Sequence, residues 1–269
     1  MSMKIGLIGC GAIGTVLADF IDKQDDLELA CIFDLDRRRE SELLGKLEKK
    51  PRAARSLDDM DGCDLIIEAA SKSAVTDYAL DILDKSDLMV MSVGALVDER
   101  LLADIKSKAG ENGRHVYVPS GAIAGLDGIK AASIDGIKKV TLTTRKLPAS
   151  LEGAPYALKN NISLRSIRKP TVIFEGSARE AVEGFPQNVN VAAALALAGV
   201  GPEKTRVRII ADPFAERNIH EIDAEGEFGS MKLVTENVPS PGNPKTSYLA
   251  ALSAIATLKK IKENVVIGT

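Results

Sequence analysis

The chain has 269 residues, room for one large or two modest domains, and its 45% hydrophobic and 27% charged residues are those of an ordinary globular protein. A formal net charge of −3, no tryptophan and only 4% aromatic residues exclude a basic, ring-stacking surface, so no nucleic-acid partner is expected. No apolar run approaches the roughly 18 to 20 residues that span a bilayer, so no membrane partner is expected either. The three cysteines, Cys10, Cys31 and Cys63, form no C-x-x-C pair and suggest neither a metal site nor a disulfide framework. With a first strand read directly after Lys4, no room for a secretory signal is expected, and a cytoplasmic setting is.

After Lys4, the residues Ile5-Gly-Leu-Ile8 read as a short buried strand, and Gly9, Gly11 and Gly14 follow at the spacing G-x-G-x-x-G. Val16, Leu17, Phe20 and Ile21 then recur at helical steps. Each glycine has a physical task. Gly9 permits the strand-to-helix turn, Gly11 allows close approach of a pyrophosphate, and Gly14 lets the helix pack against the sheet. Gly9, Gly11, Ala12, Ile13 and Gly14 are therefore candidate dinucleotide-binding residues, with the phosphates on the free N–H groups of the helix start. Leu29 to Phe33 reads as a second strand. It ends in Asp34, twenty residues beyond Gly14, where a ribose-binding carboxylate belongs. Arg37, Arg38 and Arg39 read as a solvated helix start; a contact with the 2′-phosphate of NADP is the rival reading, which Asp34 opposes by repulsion. The expected cofactor is NAD, with NADP a second option.

Asp64 to Ala70 reads as a third strand, Val75 to Leu83 as a helix, and Leu88 to Gly94 as a fourth strand. Ligands of open parallel sheets bind beyond the carboxyl ends of the strands, which makes Ala69, Ser71, Ser92 and Val93 further cofactor candidates. A charged amphipathic helix over Leu96 to Ala109 and a fifth strand over His115 to Pro119 complete an alternation that predicts a doubly wound parallel sheet. His115, at a strand start, reads as structural. Ser120 to Gly125 reads as a cofactor-facing crossover that opens a helix over Gly128 to Ala132.

The pattern then changes. Val140 to Lys146 alternates as a half-exposed strand, Pro148 to Arg168 reads as loop, and Thr171 to Glu175 as extended. Gly176 to Glu180 starts a helix with Ser177 as N-cap. Val191 to Ala198 is so uniformly apolar that it must be a buried helix, with Gln187, Asn188 and Asn190 as capping residues at its entrance. Val207 to Ala211, Asn218 to Ala224 and Phe228 to Thr235 read as strands. In the second of these, alternation places His220 with Ile222 and Ala224, away from Glu221 and Asp223; an acid–base group and a satisfied core histidine both fit that position. Pro239 to Pro244 reads as a connector, with Asn243 and Pro244 as cap and first residue of a final helix. Tyr248, Leu249, Leu252, Ile255 and Leu258 give that helix an apolar stripe to dock on the first domain.

The chain resembles the L-aspartate dehydrogenase family of archaea and bacteria. The resemblance covers essentially the whole chain. It is carried by Gly9-Cys-Gly-Ala-Ile-Gly14, Ser120-Gly-Ala-Ile-Ala-Gly125, Thr143-Thr-Arg-Lys146, Phe174-Glu-Gly-Ser-Ala-Arg-Glu-Ala181, Phe185-Pro-Gln-Asn-Val-Asn-Val-Ala-Ala193 and Asn243-Pro-Lys-Thr-Ser247. The glycine loop alone says only "dinucleotide"; the segments from Phe174 and Phe185 are far more specific. The resemblance implies an α/β fold: an N-terminal Rossmann doubly wound parallel sheet over 1–120, an α+β domain with an open sheet over 121–240, and a helix over 241–269 that returns to the first domain. It implies a homodimer that oxidises L-aspartate to iminoaspartate, with Ala124 and Asn190 touching the nicotinamide cofactor and His220 as the active-site residue. The two substrate carboxylates need cations, for which Arg145, Lys146 and Lys245 are the candidates. Two alternatives are a reductase of homoserine dehydrogenase or dihydrodipicolinate reductase type, and a non-catalytic NAD-binding sensor.

Overall fold

The computed structural model describes residues 2–186, 190–240 and 243–268, with the side chains of 243–245 outside that description. The chain divides into two compact units, Met1–Pro119 with Ala254–Lys259, and Ser120–Ser253 with Lys260–Thr269. No helix among the described residues is long and apolar enough to cross a membrane.

The first unit runs β1 (Met3–Ile8), α1 (Ala12–Asp22), β2 (Leu27–Phe33), α2 (Arg37–Lys46), β3 (Arg52–Ala53), β4 (Leu65–Glu68), α3 (Lys72–Leu83), β5 (Asp87–Val90), α4 (Glu99–Asn112) and β6 (Val116–Tyr117). All strand pairs are parallel, in the order β3-β2-β1-β4-β5-β6. The strand order reverses between β1 and β4, which makes that crevice the switch point where a ligand binds. Ile5, Leu7, Ile32, Leu65, Ile66, Ile67 and Met89 are essentially inaccessible. Helices cover both faces, so these strands read as continuous apolar runs rather than alternating ones.

Several predicted boundaries shift for local reasons. The strand predicted to reach Gly94 stops at Val90, and a 3₁₀ turn occupies Val93–Val97. The next helix starts at Glu99 because the Asp98 carboxylate caps it, accepting from the N–H groups of Arg100 and Leu101. The fifth predicted strand shrinks to two residues, and His115 lies outside it, exposed and stacked on Tyr117. The edge strand β3 was not predicted; two residues beside Cys31 and Ile32 carry no periodicity to read.

The second unit runs α5 (Leu126–Asp135), β7 (Ile137–Lys146), α6 (Pro155–Lys159), β8 (Thr171–Ser177), α7 (Ala178–Gly184), α8 (Asn190–Ala198), β9 (Arg206–Ala211), β10 (Asn218–Gly226), β11 (Gly229–Asn237), β12 (Pro239–Ser240), β13 (Asn243–Ser247) and the ends of α9 (Tyr248–Lys262), whose stretch Ala254–Lys259 belongs to the first unit. Its five-stranded sheet has the order β11-β10-β7-β9-β8 and is mixed, β7 and β9 being parallel and the other pairs antiparallel. Val140, Leu142, Thr144 and Lys146 alternate inward along β7, and Asn218, His220, Ile222 and Ala224 do so along β10. Helices α5 and α7 pack on this sheet and on α8. All of Val191 to Ala196 is buried in α8, as its composition required. Ser177 caps α7 in a reciprocal box with Glu180. Tyr156, Phe174 and Phe185 form a ring cluster with centroids 5.1 to 5.5 Å apart.

Three expectations for this half change. Pro148 to Arg168 is not plain loop: it contains α6 and 3₁₀ turns at Pro148–Leu151 and Leu164–Ser166. Asn243 and Pro244 do not start the last helix. They belong to β13, which pairs with β12, and the Tyr248 N–H bonds back to the Val238 carbonyl, so the helix begins at Tyr248. The buried stripe of α9 is Ala251, Ala254 and Leu258, while Leu252 is exposed. Gln187 and Asn188 lie outside the described residues.

Candidate active site

The glycine loop shows what each glycine is for. Gly9 has φ +103°, and a Cβ there would lie 2.6 Å from the Ala69 carbonyl oxygen; a Cβ on Gly14 would lie 1.9 Å from the Gly9 oxygen. A side chain at either position breaks the turn. A Cβ on Gly11 would meet nothing within 4 Å, so the space above it is open. Gly11 is also the N-cap of α1, which has no side-chain cap and no acidic residue in its first turn. The helix therefore presents unclaimed N–H groups and its positive dipole end to that space, the arrangement that holds a pyrophosphate. Ala12 and Ile13 form the first turn and are half-buried.

Asp34 stands across the loop at the end of β2. One of its carboxylate oxygens accepts the Cys10 N–H at 2.6 Å and the other the Asp36 N–H at 2.8 Å. A carboxylate offers about four acceptor positions, so room is left for ribose hydroxyls. A small cavity beside it is lined by Phe33, Asp34, Leu35, Ala70, Ser71 and Tyr78 among others. The arginines are engaged locally. Arg37 bonds Glu40 and the Ala54 carbonyl and lies over the Phe33 ring, Arg38 pairs with Glu42, and Arg39 pairs with Asp36. Cys10 is buried, and that burial together with Asp34 pushes its thiol up to about 12, which keeps it protonated and inert.

Ala69 is half-buried and Ser71 exposed at the end of β4, whereas Ser92 and Val93, at the end of β5, are buried. The Ser71 hydroxyl caps α3 by accepting the Ala74 N–H at 3.2 Å. Between these loops sits a residue that sequence reasoning missed, Glu68, with 1% of its surface exposed. Its carboxylate accepts hydrogen bonds from Ala70, Ser71 and Ser92. The available signal was an acid closing an otherwise apolar strand, Leu65-Ile-Ile-Glu68.

In the second unit, His220 is 2% exposed and pairs in register with Thr144 of β7. The Thr144 hydroxyl lies 3.0 Å from His220 Nδ1. Lys146, two residues further along the same face, is 4% exposed. Burial pulls its ammonium down to about 8. Burial, with the Lys146 charge added, pulls His220 down to about 3. At neutral pH the imidazole of the ligand-free protein is therefore neutral. Thr144 was not predicted, because nothing in the sequence states which residue faces His220 across the ladder.

The candidate cations divide. Arg145 lies on the opposite face of β7 from Lys146, where it pairs with Asp212 at 2.9 Å and borders a polar groove with Glu221 and Asp223. It cannot share a site with His220, a correction that follows from the two-residue period of a strand. The Lys245 side chain lies outside the described residues. Ala124 is exposed and Asn190 is exposed at the first position of α8. The segment before Ala124 is pinned within its own unit. The Ala122 carbonyl accepts from the Thr235 hydroxyl at 3.1 Å and from Asn237 Nδ2 at 2.9 Å, on the strand that flanks His220.

A glycine-cradled helix start at the switch point of a six-stranded parallel sheet, faced by an acid from the second strand, defines the first unit as a Rossmann-like dinucleotide-binding domain. Residues 9–119 match the NAD binding domain of homoserine dehydrogenase, and residues 127–261 match the C-terminal domain of aspartate dehydrogenase. The chain is 51% identical to the L-aspartate dehydrogenase of Methanococcoides burtonii, over 99% of this chain and 100% of that protein. It is 50% identical to that of Methanosarcina acetivorans, with the same coverage. The crystal structure of aspartate dehydrogenase from Thermotoga maritima superposes with a TM-score of 0.77 at 29% identity and covers 100% of both chains. The chain belongs to the L-aspartate dehydrogenase family.

Proposed function

We propose that this protein is an NAD-dependent L-aspartate dehydrogenase, with NADP as a second cofactor, that oxidises the α C–H of L-aspartate to iminoaspartate. Water then converts iminoaspartate to oxaloacetate and ammonia, or the imine feeds NAD biosynthesis. The observation that carries this reading is the buried Thr144, Lys146 and His220 face in the unit that matches aspartate dehydrogenase. When bound, the nicotinamide accepts the hydride. Gly9, Gly11, Ala12, Ile13 and Gly14 hold the pyrophosphate, Asp34 the ribose hydroxyls, and Ala69, Ser71, Ser92 and Val93 line the crevice. Ala124 and Asn190 face the nicotinamide.

The substrate nitrogen must lose a proton before C=N character develops. A neutral imidazole is the group for that. With the Thr144 hydroxyl accepting the Nδ1 proton, the Nε2 lone pair of His220 takes a proton from the substrate ammonium. Lys146 supplies a buried positive charge for one carboxylate. A substrate carboxylate beside Lys146 offsets the repulsion that its charge exerts on the imidazolium, and so raises the basicity of His220 from the low value that burial chiefly sets. Lys245 is the candidate for the second carboxylate. The protein works as a cytoplasmic homodimer. Sedimentation velocity that gives a monomer at micromolar concentration removes that part.

The test is NADH production across a panel of L-amino acids. L-aspartate is expected to exceed L-alanine and L-glutamate, because a site built for two carboxylates leaves a buried cation unpaired with the first and misplaces the second. His220→Ala should lose about 10² to 10⁴ in kcat while NAD affinity stays near wild type. A variant with normal turnover returns His220 to the core. A wild type that binds NAD and ignores every amino acid is a sensor.

A further inference from the structure

We propose that Glu68 is a positioning residue: its buried carboxylate locks together the loops after β4 and β5, and so sets the wall of the dinucleotide crevice. The inference rests on the NAD-binding reading above and concerns a residue that reading does not use. Glu68 ends β4 opposite Ile8 of β1 and Val90 of β5, at the carboxyl edge of the sheet beside the switch point. Its Oε1 accepts the Ala70 N–H at 2.8 Å, the Ser71 N–H at 2.9 Å and the Ser92 hydroxyl at 2.8 Å, and its Oε2 accepts the Ser92 N–H at 3.0 Å. One side chain thus holds three residues from two loops that share no strand.

The loop it fixes is the one the glycine turn leans on. A Cβ at Gly9 would lie 2.6 Å from the Ala69 oxygen and 2.8 Å from the Ala70 nitrogen, so the two backbones are already in contact. A shift of Ala70 is therefore a shift of the pyrophosphate cradle. Burial pushes the carboxyl up and the four donors pull it back, which is the balance of a buried acid kept for its hydrogen bonds. Ala70 and Ser71 are exposed, so without Glu68 water would satisfy their N–H groups, whereas the buried Ser92 would lose the acceptor of both its bonds. For the loop after β4 the carboxylate is needed for position rather than for solvation.

Glu68→Gln keeps the shape, but its NH₂ group must face a donor on one side or the other. The expected result is a loss of at least about tenfold in NAD affinity by titration calorimetry. At saturating NAD and aspartate, kcat should stay within about threefold, because the reacting groups are untouched. In the ligand-free protein, amide exchange at Ala70, Ser71 and Ser92 should accelerate. Ser92→Ala removes one of the four bonds and should cost less than Glu68→Gln. Combined with Glu68→Gln it should cost nothing more, because both act through the same link. If Glu68→Gln does not fold, Ser92→Ala carries the test alone: weaker NAD binding with faster exchange at Ala70 and Ser71 in the ligand-free protein supports the proposal, and unchanged exchange at those two residues or unchanged NAD affinity overturns it. A folded Glu68→Gln protein with wild-type NAD affinity overturns it, as does full additivity in the double variant. A wild type that binds no NAD removes the reading beneath it as well.

Discussion

Replacing Lys146 with methionine should make the protein more stable and less active. Lys146 is 4% exposed, and burial lowers its amine from 10.5 to about 8. At 1.36 kcal/mol per pKa unit, that is roughly 3 kcal/mol against the charged form in the folded state. Between these two values the unfolded chain binds more protons than the folded one, so wild-type stability rises as pH climbs from about 8 to about 10.5. Below that window the full penalty stands. Methionine has a similar shape and no charge. At pH 7 the variant should exceed wild type by up to roughly 3 kcal/mol, less what the polar contacts of Lys146 contribute. The difference should shrink toward zero by about pH 10.5 as the wild-type amine neutralises. Urea unfolding across that range measures both. In the same protein kcat/KM for aspartate should fall by about 10- to 150-fold, the worth of a hydrogen bond between charged groups at roughly 1.5 to 3 kcal/mol. A Lys146→Met protein less stable at pH 7 by an amount that does not change with pH would refute the buried-charge reasoning. Unchanged kcat/KM would remove Lys146 from the substrate site.

Asp34→Ala should shift the NAD to NADP ratio of kcat/KM toward NADP by about tenfold, the size of a charge-assisted bond to a ribose hydroxyl. It should also weaken both cofactors, because the Cys10 N–H loses its acceptor; a ratio that does not move excludes Asp34 as the ribose ligand. On the acid side, His220 lies at about 3 in the folded protein against 6.5 in the unfolded chain, so stability should fall as pH drops from 6.5 toward 3. His220→Ala should lack that part of the decline, and parallel acid unfolding curves would contradict a neutral buried imidazole.

Short-range chemistry determined much of this protein. The Gly9 to Gly14 spacing, the strand before it and Asp34 after it are local features, each readable because a turn, a helix start or a strand end needs a particular residue within a few positions. The uniform apolarity of Val191 to Ala198 required a buried helix wherever it was placed. The alternation along Asn218 to Ala224 placed His220 with Ile222 and Ala224 before any partner strand was known. The alternation along Val140 to Lys146 likewise required Arg145 and Lys146 to face opposite ways, but periodicity does not say which face the helices cover. The packing of α5 and α7 decided that, and the register of β7 with β10 set Thr144 against His220. Glu68 stood out only as an acid closing an apolar strand: its link to Ser92, twenty-four residues away, exists only when β4 and β5 pair. Asn243 and Pro244 carried the signature of a helix start, and pairing of Pro239–Ser240 with Asn243–Ser247 overrode it. Motifs act through backbone geometry within one turn or one strand. The partners and ionisation of buried groups depend on which strands meet, and that is settled only when the sheets assemble.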